Sequence, residues 1–230
     1  MKRIGLLLWV MGLLVTASAQ LPYHIVLLGD SNTFLGGDAC DKPQGWNKWF
    51  KDLAKPKSCR SYARSGATWT HTPQTVYDTK EDVGVLSDNN VIYNQVNRLK
   101  EAVETKEQVT PDLVIIMAGT NDLWFADKRP EPIPHFIRMD YGLLAEAFPE
   151  ARVILVTPPP FNKVSKEKQH QAAEAIAQCG QTLQLDVIRL DEAALLRGNG
   201  YFKDGVHTTV KGAKVLGKYI YEQVEAILKK

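Results

Sequence analysis

The stretch Ile25-Val26-Leu27-Leu28-Gly29-Asp30-Ser31-Asn32-Thr33 decides the fold. Consecutive apolar residues without polar alternation describe a strand covered on both faces, and such strands belong to parallel sheets. The run gives way at Gly29 to a polar Asp-Ser-Asn-Thr, the pattern of a strand entering a tight turn and then a helix. Outward from it the pattern repeats. Runs at Ser58–Ala63, Leu113–Met117, Val153–Val156 and Leu185–Leu190 read as further strands. Between and after them, Trp46–Ala54, Val91–Val103, Met139–Phe148, Lys166–Leu183 and Val210–Leu228 carry helical spacing, as in Leu143, Leu144 and Ala147. This alternation predicts an α/β domain built on a doubly wound parallel sheet with helices on both faces. Pro111 precedes the third strand, and Pro158-Pro159-Pro160 stops the fourth by removing amide donors. The stretch His71–Asn90 is polar without a period and is expected as a long surface loop; Lys128–Pro134, with three prolines, is expected to be similar.

The N-terminus reads as an address. Lys2 and Arg3 precede an apolar run, Ile4–Val15, and a small-residue cleavage site, Ala17-Ser18-Ala19. Residues 1–19 are therefore expected to be a signal peptide and residues 20–230 a single domain. The apolar run is shorter than the roughly 20 residues a spanning helix needs, and no later segment is apolar for longer. No cysteine stands at the cleavage point to carry a lipid, so no stable membrane anchor is expected. The expectation is a soluble protein, periplasmic or secreted.

Loss of Lys2 and Arg3 with the leader takes the formal net charge from +2 to zero. A nucleic-acid partner would then find no electrostatic footprint. No Ser-, Gly- or Pro-rich linker or internal repeat divides the chain, and about 210 residues suffice for one full core. Cys40, Cys59 and Cys179 form no CxxC pair and stand apart from any histidine cluster, which argues against a structural zinc site. Export favours a disulfide, with Cys40 to Cys59 as the expected pair; a loop of that size would add about 3 kcal/mol in the chain-entropy model. Cys179 falls in a helical segment and is expected to be a small buried apolar residue.

In an open parallel sheet, ligands bind outside the carboxyl ends of the strands. Three blocks stand at such ends: Gly29-Asp30-Ser31-Asn32-Thr33, Arg64-Ser65-Gly66-Ala67-Thr68 and Gly119-Thr120-Asn121-Asp122. A serine hydroxyl becomes a nucleophile when it stands on a rigid turn beside a base, and Ser31 has the turn. Acyl transfer also needs fixed donors for the developing oxyanion, which the amides of Ser31 and Gly66 and the side chain of Asn121 would supply. The base is expected from Lys203-Asp204-Gly205-Val206-His207, before the last helix. Three residues apart in a turn, Asp204 and His207 bring their Cβ atoms to roughly 5–6 Å. Asp204 would then hold one ring nitrogen while the other faces Ser31. Asp30 is expected to cap or orient its turn. Asp122, whose charge would oppose an oxyanion, is expected to point away and bond the local backbone.

GDSNT at 29–33, the Gly66 block, GTND at 119–122 and DGVH at 204–207 together resemble the GDSL, or SGNH, hydrolase family, in family order and over nearly the whole chain after residue 19. The resemblance implies a flavodoxin-like fold and serine-dependent hydrolysis of esters or thioesters without metal or organic cofactor. Ser31, Gly66, Asn121 and His207 fall in the four naming positions, and Asp204 completes the triad. One departure is Arg64-Ser65, where family members often carry Asn shortly before the glycine.

Other residues admit plainer roles. His24, His71, His135 and His170 lack an acidic partner in the sequence pattern, although His71 adjoins a site block and is a candidate substrate contact. Trp69 and Trp124 each follow a site residue by three; as substrate-binding residues they would stack sugar rings at the pocket mouth, and as core residues they would fill volume. Trp46 and Trp49 are expected to pack a helix, and Lys229-Lys230 to be a solvated terminus. The expected function is an exported carboxylic ester hydrolase that releases acetyl or another short acyl group from a carbohydrate. A lysophospholipase or acyl thioesterase is the enzyme alternative, and a noncatalytic carbohydrate-binding protein on the same fold is the alternative of a different class.

Overall fold

A computed structural model describes residues 20–127, 132–193, 196 and 199–230; the leader expected at 1–19 lies outside them. Strands β1 (His24–Gly29), β2 (Ser58–Ser61), β3 (Leu113–Met117), β4 (Arg152–Val156) and β5 (Asp186–Ile188) form one sheet in the order β2-β1-β3-β4-β5. Every neighbouring pair is parallel, with Ile25 opposite both Cys59 and Leu113, and Gly29 opposite Met117. This is the flavodoxin-like strand order, and its direction of winding reverses between β1 and β3. In open parallel sheets ligands bind at that reversal. The strands on either side of it deliver Ser31 and Asn121.

Helices α1 (Ser31–Phe34), α2 (Trp46–Ala54), α3 (Ile92–Glu104), α4 (Thr120–Trp124), α5 (Ile133–Ala147), α6 (Lys166–Thr182) and α7 (Val210–Leu228) complete the described architecture. Alternate strand residues face opposite layers. Ile25, Leu27, Ile115, Met117 and Ile154 meet Trp46, Phe50, Leu216, Ile220 and Val224 of α2 and α7. Val26, Leu28, Val114, Ile116 and Leu155 meet α3, α5 and α6 through Ile92, Val96, Leu99, Leu144 and Ile176. All of β3 is buried, as the uninterrupted apolar run requires of a central strand. Each fully buried side chain of this size contributes about 1.5–3 kcal/mol of transfer free energy.

The edge strands are shorter than the sequence suggests. β2 stops at Ser61 instead of Ala63, and β5 covers Asp186–Ile188 instead of Leu185–Leu190. Beyond β5 the Leu190 amide donates to the Thr157 hydroxyl at 2.8 Å, so a side chain replaces the next ladder bond. Helix α5 begins six residues before Met139, and its first turn takes in Pro134. The loop expected over Lys128–Pro134 is therefore corrected at its end, while residues 128–131 lie outside the described residues. A proline in the first turn has no amide to lose from the ladder, so it opens the helix without breaking it.

Cys40, Cys59 and Cys179 are all buried, and all are free thiols. The bridge expected between Cys40 and Cys59 is not formed, although the two thiols contact each other: hydrogen bonding from Cys40, then burial, push the Cys59 thiol well above its ordinary range. Among the described residues no helix is long and apolar enough to cross a membrane, and no group of three or more His, Cys, Asp or Glu is placed to hold a metal ion.

Candidate active site

β1 ends on Gly29 at φ +153°, where a Cβ would stand 2.3 Å from the Met117 carbonyl of β3. Only glycine fits this close approach. The buried Gln95 of α3 brackets the same residue: its Oε1 accepts the Gly29 amide and its Nε2 donates to the Gly29 carbonyl, both at 2.9 Å. Asp30 then caps α1, its Oδ1 accepting the Asn32 amide at 3.0 Å. Ser31 opens α1 and is 5% exposed.

Its hydroxyl oxygen lies 2.9 Å from Nε2 of His207. On the other side of the ring, Nδ1 lies 2.7 Å from Asp204 Oδ2. The second oxygen of Asp204 accepts the amides of His207 at 2.8 Å and Val206 at 3.0 Å, which closes the turn before α7. Burial pushes the Asp204 carboxyl up, but the His207 side chain and the two amides outweigh it and hold the group at about 2. Asp204 is therefore anionic at neutral pH. Its carboxylate lies on the Nδ1 side of the ring, and Nε2 faces the Ser31 hydroxyl.

Asn121, 5% exposed, stands in α4 at the end of β3; its Nδ2 donates one proton to the Ala67 carbonyl at 2.9 Å and keeps the second. That bond also joins the third block to the second. The amides of Ser31 and Gly66 donate to no other described residue. Gly66 sits at φ +76°, and a Cβ there would stand 2.0 Å from the Leu86 amide nitrogen, so the 71–90 loop packs directly on this backbone.

Several side chains that hold this geometry carry no chemistry themselves. Asn32 joins nucleophile to base: its Oδ1 accepts the Thr208 amide at 3.3 Å and its Nδ2 donates to the Val206 carbonyl at 3.4 Å. Asp122, expected to bond its local backbone, has long-range partners: it accepts the amides of Trp69 at 3.1 Å and Thr70 at 2.9 Å and the Thr70 hydroxyl at 2.7 Å, 52 to 53 residues earlier. Arg64, the departure in the second block, is buried and donates to Asp38 at 3.1 Å and to the Ala63 carbonyl at 2.7 Å, and pairs with Glu81. It thereby ties the Gly66 turn to the loops on both sides.

Two buried carboxyls lie in or near this layer. Burial pushes Asp30 up to about 6, against the Asn32 amide, the Thr120 hydroxyl and the charge of His207. Burial and then Asp122 push Asp140 of α5 well above the usual carboxylate range.

The tryptophans divide. Trp69 is 1% exposed and packs in the core beside Tyr62 and Ile92, so the reading of it as a sugar platform is corrected: its ring presents no face to solvent. Trp124 is 38% exposed, lies parallel to Phe125 at 5.0 Å, and has Lys163 Nζ 5.9 Å from its ring centre. His71, the candidate contact, is 5% exposed within a cluster of Tyr77, Tyr93 and Phe136. Gln95, Asn32 and the reach of Asp122 are not foreseen from the sequence. Only Gln95 leaves a signal there, as a polar residue on the apolar stripe of Ile92, Val96 and Leu99.

Comparison with known proteins points the same way. No curated protein sequence matches the chain. A carbohydrate acetylesterase family member from Sinorhizobium meliloti superposes with a TM-score of 0.60 at 18% identity, over 90% of this chain and 99% of that one. An inhibitor-bound aryl esterase from M. smegmatis superposes at 0.62 and 19% identity, over 88% and 98%. At such identities these structures share the fold. The family model for GDSL-like lipase/acylhydrolase matches residues 27–215, from β1 into α7. The chain thus belongs to the GDSL-like lipase/acylhydrolase family and is a carboxylic ester hydrolase.

Proposed function

We propose that this esterase is an exported serine hydrolase that removes acetyl or similarly short acyl groups from carbohydrate, through a covalent acyl-enzyme on Ser31. The observation that carries the mechanism is the unbroken chain from Ser31 Oγ to His207 Nε2 at 2.9 Å and from His207 Nδ1 to Asp204 at 2.7 Å. In the first half-reaction His207 accepts the Ser31 proton as the oxygen attacks the ester carbonyl. The oxyanion that forms is met by the Ser31 and Gly66 amides and the spare Asn121 proton. Collapse breaks the ester bond, and His207 gives its proton to the departing alcohol. Water then repeats the sequence on the acyl-enzyme, returning Ser31 and releasing the acid.

Three features support the setting and substrate. The Lys2-Arg3, apolar and Ala-Ser-Ala order of residues 1–19 is that of an export signal. Trp124 offers a half-open aromatic face one helical turn from Asn121. A structural neighbour is described as a carbohydrate acetylesterase. A longer-chain substrate, as in a lysophospholipase or thioesterase, has its own observation in favour: Val83 and Val85 are 61% and 77% exposed on the loop that covers Gly66.

Chain-length dependence separates the two. With p-nitrophenyl esters the account predicts a burst of p-nitrophenol and a kcat/KM higher for acetyl than for octanoyl, together with acetate release from an acetylated polysaccharide. Preference for octanoyl would transfer the proposal to the lipid reading. A wild-type protein silent at every acyl length would remove it.

A further inference from the structure

Trp124 lines a cavity of about 370 Å³ whose wall also includes Asp127, Lys163, Ser165 and Lys168. Its lining is tied to the candidate site on two sides. Trp124 lies on α4, one turn after Asn121. The segment bearing Lys163 is fixed to the triad turn, because the Asn162 amide donates to the Gly205 carbonyl at 2.9 Å and the Asn162 side chain fills the space beside Gly205. On the far side of Asn162 a second cavity, of about 340 Å³, is lined by Lys166, Asn199 and Gly205.

The charges in this wall are unequal. Lys163 and Lys168 face one carboxylate, Asp127, and neither lysine forms an ion pair with a described residue. The nearby Glu167 is engaged with Gln171 at 2.8 Å. The Ser165 hydroxyl caps α6 by accepting the Lys168 amide, so the cavity also sits at the positive end of a long helix. An aromatic ring with one face backed by Phe125 and an ammonium near it suits a flat, polyhydroxylated ring bearing negative charge.

We infer that the Trp124–Lys163–Lys168 cavity is a subsite for a carboxylate-bearing sugar of the ester substrate, stacked on Trp124 with its carboxylate between the two lysines. Lys166 in the neighbouring cavity extends the same preference along an acidic polymer. This rests on the carbohydrate-ester reading of the site and narrows it to acidic glycans.

Calorimetric titration tests the subsite without turnover. The wild-type chain is titrated with an oligogalacturonate and, separately, with the neutral galactose oligomer of the same length. The acidic oligomer is expected to bind about tenfold more tightly, as two partly exposed ion pairs would give. The advantage should shrink as salt shortens the screening length and vanish in the Lys163→Ala/Lys168→Ala variant, whose substitutions are on the surface. Equal affinity for the two oligomers, or an advantage that survives the double substitution, would overturn the inference. Failure of the esterase reading is seen separately, as absence of p-nitrophenyl acetate hydrolysis by the same wild-type sample.

Discussion

Ser31 and Asn121 stand in the short helices that follow β1 and β3 at the sheet's edge and are 5% exposed each, whereas Asp204 and His207 stand on a turn before α7 with side chains 48% and 27% exposed. The sheet half is anchored by bonds out of sight of solvent: Gln95 on Gly29, Asp122 on Trp69 and Thr70, Asn121 on Ala67. The turn half is held by Asp204 on the amides of Val206 and His207, by Asn32 on Val206 and Thr208, and by the Asn162 amide on the Gly205 carbonyl. In the proposed mechanism the donors that would meet a developing charge without reorganising sit in the rigid half, as electrostatic preorganisation requires. The proton carrier, which has to accept and release, sits in the wetter half.

The largest effect should come from the turn. His207→Ala is expected to lower turnover of p-nitrophenyl acetate by about 10⁴-fold or more, since the nucleophile loses its base. With His207 in place, activity should rise with pH as the imidazole loses its proton. Asp204, held at about 2, stays charged throughout pH 4 to 8 and adds no second acid limb. A profile flat over that range would detach His207 from the proton transfer.

A smaller loss is expected on the sheet side. Asn121→Ala should cost about 10² to 10³ in turnover, the range for one oxyanion donor. Unchanged turnover would leave Asn121 with only its bond to Ala67. Asn32→Ala cuts the bridge between the halves and leaves both intact; displacement of the base by a fraction of an ångström should cost about tenfold. If thermal stability fell while the turnover of the folded fraction held, Asn32 would be structural alone.

The smallest effect on catalysis, and a distinct one on stability, belongs to Asp30. Its carboxyl is raised from its ordinary 3.8 to about 6, so the folded chain holds this proton more tightly than the unfolded one. From this group stability is highest below pH 3.8, declines between there and 6, and stays at the lower level above. Asp30→Asn keeps an oxygen to cap α1 and stays neutral. Its stability relative to wild type, measured by urea unfolding, should therefore improve by about 2 kcal/mol between about pH 4 and about pH 8, most of the free energy that separates a carboxyl titrating near 3.8 from one titrating near 6. A difference independent of pH would remove the buried charge from the account.

How much of this was legible in the sequence follows the same division. Ser31, Gly66 and Asn121 sit where apolar strands end, and Asp204 and His207 where a helix begins, so spacing and residue type alone locate them. The parallel, doubly wound sheet also follows from alternating strand and helix segments, whereas the strand order follows only from the family resemblance. Gln95 and Asn32 were harder, because a polar side chain that bonds backbone 66 or 174 residues away leaves little periodic trace. Trp69 misled for the opposite reason: adjacency to Gly66 suggested the pocket mouth, but Asp122 grips the Trp69 amide and the ring turns into the core. The start of α5 hid behind prolines that a first helical turn tolerates.

The central claim is that Ser31 carries the acyl group. Rapid acid quench of the protein with p-nitrophenyl acetate, followed by proteolysis and mass spectrometry, should find an acetyl adduct on the peptide containing Ser31 and none in Ser31→Ala, which should also lose the burst. An adduct on another residue, or a Ser31→Ala protein that still turns over at the wild-type rate, would contradict the account.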